Sequence, residues 1–357
     1  MVYDTYYKYS TTVYQLTLVL PHIGHQTATR VFRKATMNLA RLTLVAGVIL
    51  LNLPGSTGAA VPTVDVQRGR VYVERPSGSL AADVYMPHGS GPFPGMLVVH
   101  GGAWTAGSRD ELAPIARAFA ERGYTAVAIT YRLAPQYKFP AQIYDCEAAV
   151  RWMRSHAKEL KIDPDRIGGF GYSAGGHLVA LLGTIHDNDL REPGIAADAP
   201  SARLEVVLAG GAPCDFRVMA EGNKQLSYWL GGSRAEKPDV YREASPATYI
   251  QSDDPPMFFF HGENDLLVPI SSPTRMVGLL KNAGVAAEIY TVKGAGHIQA
   301  IFSRPAVERA MGFADRYLKP KNPIMAGADR ARATHTDHDK AADRELSGAQ
   351  SGAADGN

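Results

Sequence analysis

The chemistry in this sequence gathers around one serine. Residues 171–176 read Gly-Tyr-Ser-Ala-Gly-Gly, the run Arg166–Phe170 leads straight into them, and a helix-forming stretch, Leu178–Leu182, follows. A G-x-S-x-G pattern between a strand and a helix lifts its serine onto a sharp turn, where the hydroxyl stands clear as a nucleophile. Such a turn is strained, so the residues two before and two after Ser173 must lack side chains, and Gly171 and Gly175 do. Gly176 lets the helix pack close to the strand. The helix N-terminus then faces the reaction centre, where its dipole favours developing negative charge. The competing reading is a Gly-rich strand-to-helix turn that merely happens to hold a serine.

A serine hydroxyl is a weak nucleophile until an imidazole takes its proton, and the imidazole must be oriented by a carboxylate. Around such a turn the chain order is Ser, then Asp or Glu, then His, each on a loop after a strand. Two loops fit. His261-Gly262-Glu263-Asn264-Asp265 follows the apolar strand Met257–His261, and Lys293-Gly294-Ala295-Gly296-His297 follows the strand Ala287–Val292. Asp265 is the expected carboxylate, with Glu263 as its substitute, and His297 is the expected base. The glycines beside His297 let its loop bring the ring over the serine. His177, four residues past Ser173 on the same helix, points away from it and reads as structural. His261 is expected to order the acid loop and Asp215 to fix its own loop. Asp145, near the start of a helix, is expected to cap it or balance its dipole.

Acyl transfer also needs N–H donors aimed at the oxygen of a tetrahedral intermediate. His100-Gly101-Gly102-Ala103-Trp104, with Gly107 beyond, ends the third strand and exposes backbone N–H groups. Gly102, Ala103 and the residue after the nucleophile, Ala174, are the expected oxyanion hole. The same loop could also be no more than a tight strand-to-helix connection. His100 is expected to fix the loop by hydrogen bonds. Trp104, Tyr172 and Trp229 are taken as substrate-pocket residues, Trp104 being equally readable as packing.

These groups need a frame. Between Val64 and Lys319 short β-rich runs fall at Val71–Glu74, Ala81–Met86, Met96–His100, Ala126–Tyr131, Arg166–Phe170, Leu204–Ala209, Met257–His261 and Ala287–Val292. Helix-like apolar spacing appears at Glu111–Arg122, Gln142–Leu160, Ala174–Ile185, Thr274–Ala283 and Ala306–Tyr317,. A Pro-Ser-Gly-Ser turn, Pro76–Ser79, makes the first two strands an antiparallel hairpin. From the third strand on, helices alternate with strands, which implies parallel crossovers. The expected fold is α/β: a mostly parallel sheet of about eight strands with antiparallel first strands and helices on both faces. Residues 215–247 break the rhythm and read as a small cap on the carboxyl end of the sheet, where ligands bind in open α/β folds.

Composition bounds the rest. The 357 residues are 45% hydrophobic and 20% charged with a net charge of +2, which suits one large domain with dispensable ends. No Lys/Arg-rich run asks for a nucleic-acid partner. No CxxC or HExxH supports metal catalysis, and His335 and His338 read as part of a solvated tail. Cys146 and Cys214 either pair after export or stay as buried thiols. Residues 37–60 have the order of a signal peptide: a positive start at Arg41, apolar Leu42–Leu51, then small residues ending at Ala60,. About ten apolar residues fall short of the ~20 that span a bilayer, so the expectation is a secreted or periplasmic protein, with a membrane anchor as the alternative. Residues 1–36, rich in tyrosine, are read as lying upstream of a true start at Met37, or else as a long n-region. Residues 321–357 carry almost no large apolar side chains and are expected to be disordered. The domain itself is placed at 61–320.

Taken together, His100–Trp104, Tyr131-Arg132-Leu133-Ala134-Pro135, the turn at Ser173, Ser245-Pro246, Asp254-Pro255-Pro256 and the Asp265 and His297 loops resemble the esterase/lipase branch of the α/β-hydrolases. That branch includes BD-FAE-like (feruloyl esterase-like) enzymes and hormone-sensitive-lipase relatives. The resemblance covers roughly Val64 to Lys319. It implies hydrolysis of a small-molecule carboxylic ester with no cofactor, and supports Gly102, Ala103 and Ala174 as the oxyanion hole. The His-Gly-Gly-Ala-Trp loop lacks the third glycine of hormone-sensitive-lipase relatives, which favours the BD-FAE-like side. That side overlaps with arylformamidases. An arylformamidase or a peptidase-type amide hydrolase is the rival activity, and a catalytically inactive binding protein of the same fold is the rival class.

Overall fold

A strand whose two faces are both covered by helices must be apolar at nearly every position. β3 (Phe93–Val99), β4 (Thr125–Ile129), β6 (Val206–Gly210) and β7 (Met257–Gly262) are buried almost throughout, and β5 (Ile162–Tyr172) is buried over its last six residues. With β1 (Val64–Arg75), β2 (Gly78–Pro87) and β8 (Ala287–Val292) they form one eight-stranded sheet in the order β1-β2-β4-β3-β5-β6-β7-β8. β2 runs antiparallel to β1 and β4, and all pairs from β3 to β8 are parallel. The computed structural model describes residues 63–319 apart from residues 187, 188, 191 and 220. The upstream stretch, signal peptide and tail read from the sequence lie outside the described residues.

The two-residue period of the strands sorts the core into two layers. Met96, Val98, Phe170, Leu208 and Phe260 pack with α1 (Ala113–Glu121) and the last described helix, α8 (Arg304–Leu318). Their neighbours Leu97, Val99, Val207, Ala209 and Phe259 pack with α2 (Ala141–Ser155), α3 (Ala174–Thr184) and α6 (Ser271–Asn282). This is the helices-on-both-faces arrangement expected from the alternation. Among the described residues, no helix is long and apolar enough to cross a membrane.

Some boundaries move. β1 starts seven residues earlier than its apolar core, because Val64–Arg70 pairs with β2 in spite of a polar sequence and a register shift around Gly69 (φ +67°). The hairpin turn narrows to Pro76-Ser77, since Arg75 pairs with Gly78. The helix expected to reach Leu160 ends at Ser155.

Between β6 and β7 lies the stretch read as a cap. It holds a 3-10 turn (Phe216–Val218), α4 (Lys224–Leu230), α5 (Pro238–Glu243) and a second 3-10 turn (Pro246–Thr248). The Asn223 side chain caps α4 by accepting from the N–H groups of Gln225 and Leu226, and Gly231 at φ +87° ends it,.

Asp145 departs from the capping role. It sits a full turn inside α2, wholly buried, and accepts from the Arg132 backbone N–H (2.9 Å) and guanidinium (2.8 Å) and from Arg75 (3.1 Å). It ties the loop after β4 and the end of β1 to α2. Cys146 and Cys214 are both buried free thiols. Burial pushes both thiol pKa values up, which keeps them protonated and inert,.

Candidate active site

In an open α/β sheet the ligand crevice forms at the carboxyl ends of the strands where the strand order reverses. Here the chain passes from β3 to β4 on one side and then returns to β5 on the other, so the reversal lies between β3 and β5. Val99 and Gly171 are in register, so the two strands end level. The loop His100–Gly107 leaves β3 at this point and Ser173 leaves β5. A Cβ on Gly101 would stand 3.4 Å from Ser173 Cβ, which measures how close they come.

Ser173 takes φ +56° and ψ −120°, left-handed backbone that a residue with a side chain rarely adopts,. The glycines around it are there for space. A Cβ on Gly171 would lie 2.2 Å from the Gly175 carbonyl oxygen, and one on Gly175 would lie 2.0 Å from that of Val99. A Cβ on Gly176 would meet the Gly210 carbonyl at 2.5 Å, the close packing of α3 expected of that glycine.

Asp265 and His297 leave β7 and β8, two and three strands away from β5. At ~4.8 Å per strand the His297 loop must reach back across the end of β6. β6 gives it room by ending in Gly210-Gly211. A Cβ on Gly211 would meet Tyr172 Cζ at 2.9 Å and His297 Cε1 at 3.1 Å. His297 opens the short helix α7 (His297–Ile301), and its Nε2 lies 2.8 Å from Ser173 Oγ and its Nδ1 2.6 Å from Asp265 Oδ2. The carboxylate can only accept, so the ring proton sits on Nδ1 and Nε2 is free to accept from the serine hydroxyl. His297 and Asp265 are nearly buried, and Ser173 is half-buried.

The carboxylate is well tied. Oδ1 accepts from the N–H groups of Leu267 (2.9 Å) and Val268 (2.8 Å). His261 Nε2, wholly buried, lies 2.7 Å from the Val268 carbonyl and 3.1 Å from Asp265 Oδ2, so His261 orders this loop. Burial by itself would raise the Asp265 pKa. The hydrogen bonds from His261, His297 and the Val268 amide outweigh it and hold the carboxyl well below the usual carboxylate range,. Glu263 does not share this position. It is exposed and accepts from Gly294 N–H (2.8 Å), lacing the acid loop to the histidine loop.

Gly102 (φ +93°), Ala103 (φ +52°) and Trp104 (φ +61°) carry the oxyanion loop through three successive left-handed residues. Among the described residues, none accepts from the N–H groups of Gly102, Ala103 or Ala174. Gly102 turns its carbonyl the other way, to accept from Thr105 and Ala106. His100 packs beneath, stacked on Tyr131 at 4.2 Å with its Nδ1 against the Gly101 carbonyl. Burial lowers its pKa to about 4, so it is neutral at pH 7.

The three pocket residues land elsewhere. Trp229 is fully buried and offers a substrate no surface. It is stacked on Trp104, itself only 4% exposed, at 3.8 Å and 3°. The pair forms part of the core beneath the loop, the packing alternative for Trp104. Tyr172 has a different task that sequence reasoning missed: its hydroxyl donates to the His297 carbonyl, and its ring packs on Phe260. The only sequence signal for these supports was the Gly210-Gly211 pair at the end of β6. Asp215 accepts from Arg217 N–H and its guanidinium, a loop-fixing role as expected. Among the described residues one cluster, His186, Asp253 and Asp254, has the make-up of a cation site. Arg203 already supplies the cation, donating to His186 Nδ1 (2.9 Å) and Asp253 (3.0 Å).

The BD-FAE family model matches residues 82–280, more than half of the sequence. The chain belongs to the BD-FAE family. The matched BD-FAE stretch runs from β2 into α6 and so holds the oxyanion loop, Ser173 and Asp265, with His297 beyond it. The probable carboxylic ester hydrolase LipM of Mycobacterium tuberculosis is 31% identical over 208 residues, 56% of this chain and 48% of LipM. The arylesterase of Saccharolobus solfataricus is 47% identical over 94 residues, 26% of this chain and 31% of that protein. The chain thus spans about half the length, or less, of these curated relatives. Among solved structures, the thermophilic esterase Est2 of Thermogutta terrifontis superimposes with a TM-score of 0.62 at 26% identity, covering 74% of this chain and 96% of Est2. Est2 has also been solved phosphorylated by paraoxon, with a TM-score of 0.59 at 26% identity over 75% of this chain and all of that one. The fold of this BD-FAE chain is the α/β-hydrolase fold.

Proposed function

We propose that this chain hydrolyses carboxylic esters of small to medium acyl groups through an acyl-enzyme on Ser173. The observation that carries the reading is the hydrogen-bond chain from Ser173 Oγ through His297 to Asp265, at 2.8 and 2.6 Å. Ser173 Oγ attacks the ester carbonyl while its proton passes to His297 Nε2, and Asp265 steadies the imidazolium. The amides of Gly102, Ala103 and Ala174 hold the oxyanion. His297 then gives its proton to the departing alcohol, activates a water, and the acid leaves as Ser173 regains its hydrogen. The chemistry asks for no cofactor. Support comes from the ester-hydrolase relatives and from the propionate- and butyrate-bound forms of Est2.

The test is turnover of p-nitrophenyl acetate, butyrate and longer esters by wild type beside Ser173→Ala. The variant is expected to lose about three or more orders of magnitude in kcat. Near wild-type hydrolysis by the folded variant would refute the assignment. Silence of the folded wild type across the series would move the reading to a formamide or amide substrate, or to a binding role. Export through the 37–60 segment is part of the proposal, supported by that segment's charge and hydropathy order alone. A mature N-terminus well before Ala59 by mass spectrometry would contradict it.

A further inference from the structure

The oxyanion loop adopts a backbone that its own residues do not favour. Gly102 is at ease with positive φ, but Ala103 and Trp104 follow at +52° and +61°. Left-handed backbone is costly for a residue with a Cβ, and two in succession persist only if the surroundings impose them. The Trp104 carbonyl accepts from Ala134 N–H at 2.9 Å, and the rest of the restraint comes through the Trp104 side chain. Its indole lies flat on Trp229 and edge-on to Phe216 (5.8 Å) and His177 (5.3 Å), and its Nε1–H donates to His177 Nδ1 at 3.2 Å.

That last bond depends on a tautomer. His177 is wholly buried, and its Nε2 lies 2.7 Å from the Ala244 carbonyl, which can only accept. The ring proton is therefore on Nε2, and Nδ1 is left as the acceptor that the indole needs. His177 also sits one turn past the nucleophile, its backbone N–H donating to the Ser173 carbonyl at 2.9 Å. One ring thus joins three separate stretches of chain: the helix that carries Ser173, the loop after β3, and the end of the excursion at Ala244. Trp229, the other face of the clamp, is fixed by its own indole N–H to Gln142 Oε1 at 3.0 Å.

We infer that His177 is a positioning residue of this site: through its hydrogen bond to Trp104, seated on Trp229, it holds the Gly102 and Ala103 amides where the oxyanion forms. The inference rests on the ester-hydrolase reading above. It turns a histidine that touches no substrate, and two tryptophans that line no pocket, into the support of transition-state binding.

The experiment compares His177→Leu, His177→Gln, Trp104→Phe and the Leu/Phe double variant on a p-nitrophenyl ester. An aryl trifluoromethyl ketone serves as a second probe. Ser173 Oγ adds to the ketone carbon, the carbonyl electrons become the alkoxide in the hole, and the serine proton goes to His297. For His177→Leu and Trp104→Phe, kcat is expected to fall about 10- to 100-fold with KM within about threefold, because only transition-state contacts are disturbed. Ketone affinity should fall in parallel with kcat. The double variant should be no worse than the poorer single one, since both remove the same Trp104–His177 bond. His177→Gln, which can donate to Ala244 and accept from Trp104, should recover much of the rate.

A merely structural role would lower the urea midpoint and leave kcat and ketone affinity at wild-type values in the folded enzyme. That result overturns the inference, as would losses that multiply in the double variant. If the leucine variants do not fold, Trp104→Phe and His177→Gln decide together. Phenylalanine loses the N–H and with it the second ring of the indole, whereas glutamine keeps a donor and an acceptor. A kcat loss in the first with recovery in the second supports the inference, and equal losses in both overturn it. A wild type silent on esters and unreactive with the ketone overturns the ester-hydrolase reading and this inference with it. An active wild type with unaffected variants overturns the inference alone.

Discussion

At Asp265 the Leu267 and Val268 amides and the His297 imidazole converge on a carboxylate that is almost out of water, and His261 closes the fourth side. The arrangement sets the histidine tautomer as well as its position. An amide in place of the carboxylate can turn its NH2 toward His297 Nδ1 and select the other tautomer, with the proton on Nε2 facing Ser173. Asp265→Asn is therefore expected to fold and bind substrate but lose roughly 10³–10⁴ in kcat. Steady-state kinetics beside thermal unfolding checks this, and a loss of less than about tenfold would point to Glu263 or another carboxylate as the acid. Glu263, bonded to Gly294 N–H at 2.8 Å, is placed to tether loops and not to orient the base.

The elements around the site meet at strand ends, and glycines mark where they touch. Gly171 and Gly175 are spaced by the motif itself, so sequence reasoning finds them. Gly211 belongs to no motif, yet it sits at φ +57° with His297 lying across it. Gly211→Ala adds a methyl about 3 Å from both the Tyr172 and His297 rings. It also places a Cβ on left-handed backbone, at a cost of ~1–2 kcal/mol. The expected outcome is a stability loss of that order with kcat lowered about tenfold or more, because the base is pushed off Ser173. Urea unfolding beside kcat separates the two effects, and an unchanged kcat would mean that the His297 loop does not depend on the end of β6.

For the molecule as a whole, two buried histidines set the response to acid. Burial presses the pKa values of His100 and His177 from the ordinary 6.5 down to about 4, against single backbone hydrogen bonds that favour the charged form. The unfolded chain therefore takes up these protons first. Stability is full above about pH 6.5 and falls as the pH drops through the window down to about 4. Asp265 acts in the same direction lower down: its depressed pKa contributes stability above the unfolded carboxylate value of ~3.9 and loses it below,. Urea midpoints at pH 7.5, 5.5 and 4.5 are expected to decline in that order. A flat profile would mean that the two rings accept protons in the folded state.

Sequence alone determined what depends on neighbours along the chain. The serine turn and the glycine loop after the third strand are local patterns, each set by a backbone requirement within a few residues. The alternation of strand and helix and the Ser–Asp–His order are read along the chain without any knowledge of contacts. The antiparallel start followed from the Pro76–Ser79 turn, and the parallel sheet from the alternation of strand and helix. Only the tertiary structure decided what depends on residues far apart in sequence. The Tyr172 hydroxyl finds the His297 carbonyl 125 residues on, and Trp104 finds its acceptor on His177, 73 residues on. Trp229, an aromatic in a polar stretch, reads as a pocket wall until its stacking partner is known. Asp145 reads as a helix-dipole residue until Arg75 arrives from the end of β1 and Arg132 from the loop after β4. The physical reason is common to all four. A buried polar or aromatic group is given its role by the partner that satisfies it, and in a crossed sheet that partner comes from an element the local sequence cannot name.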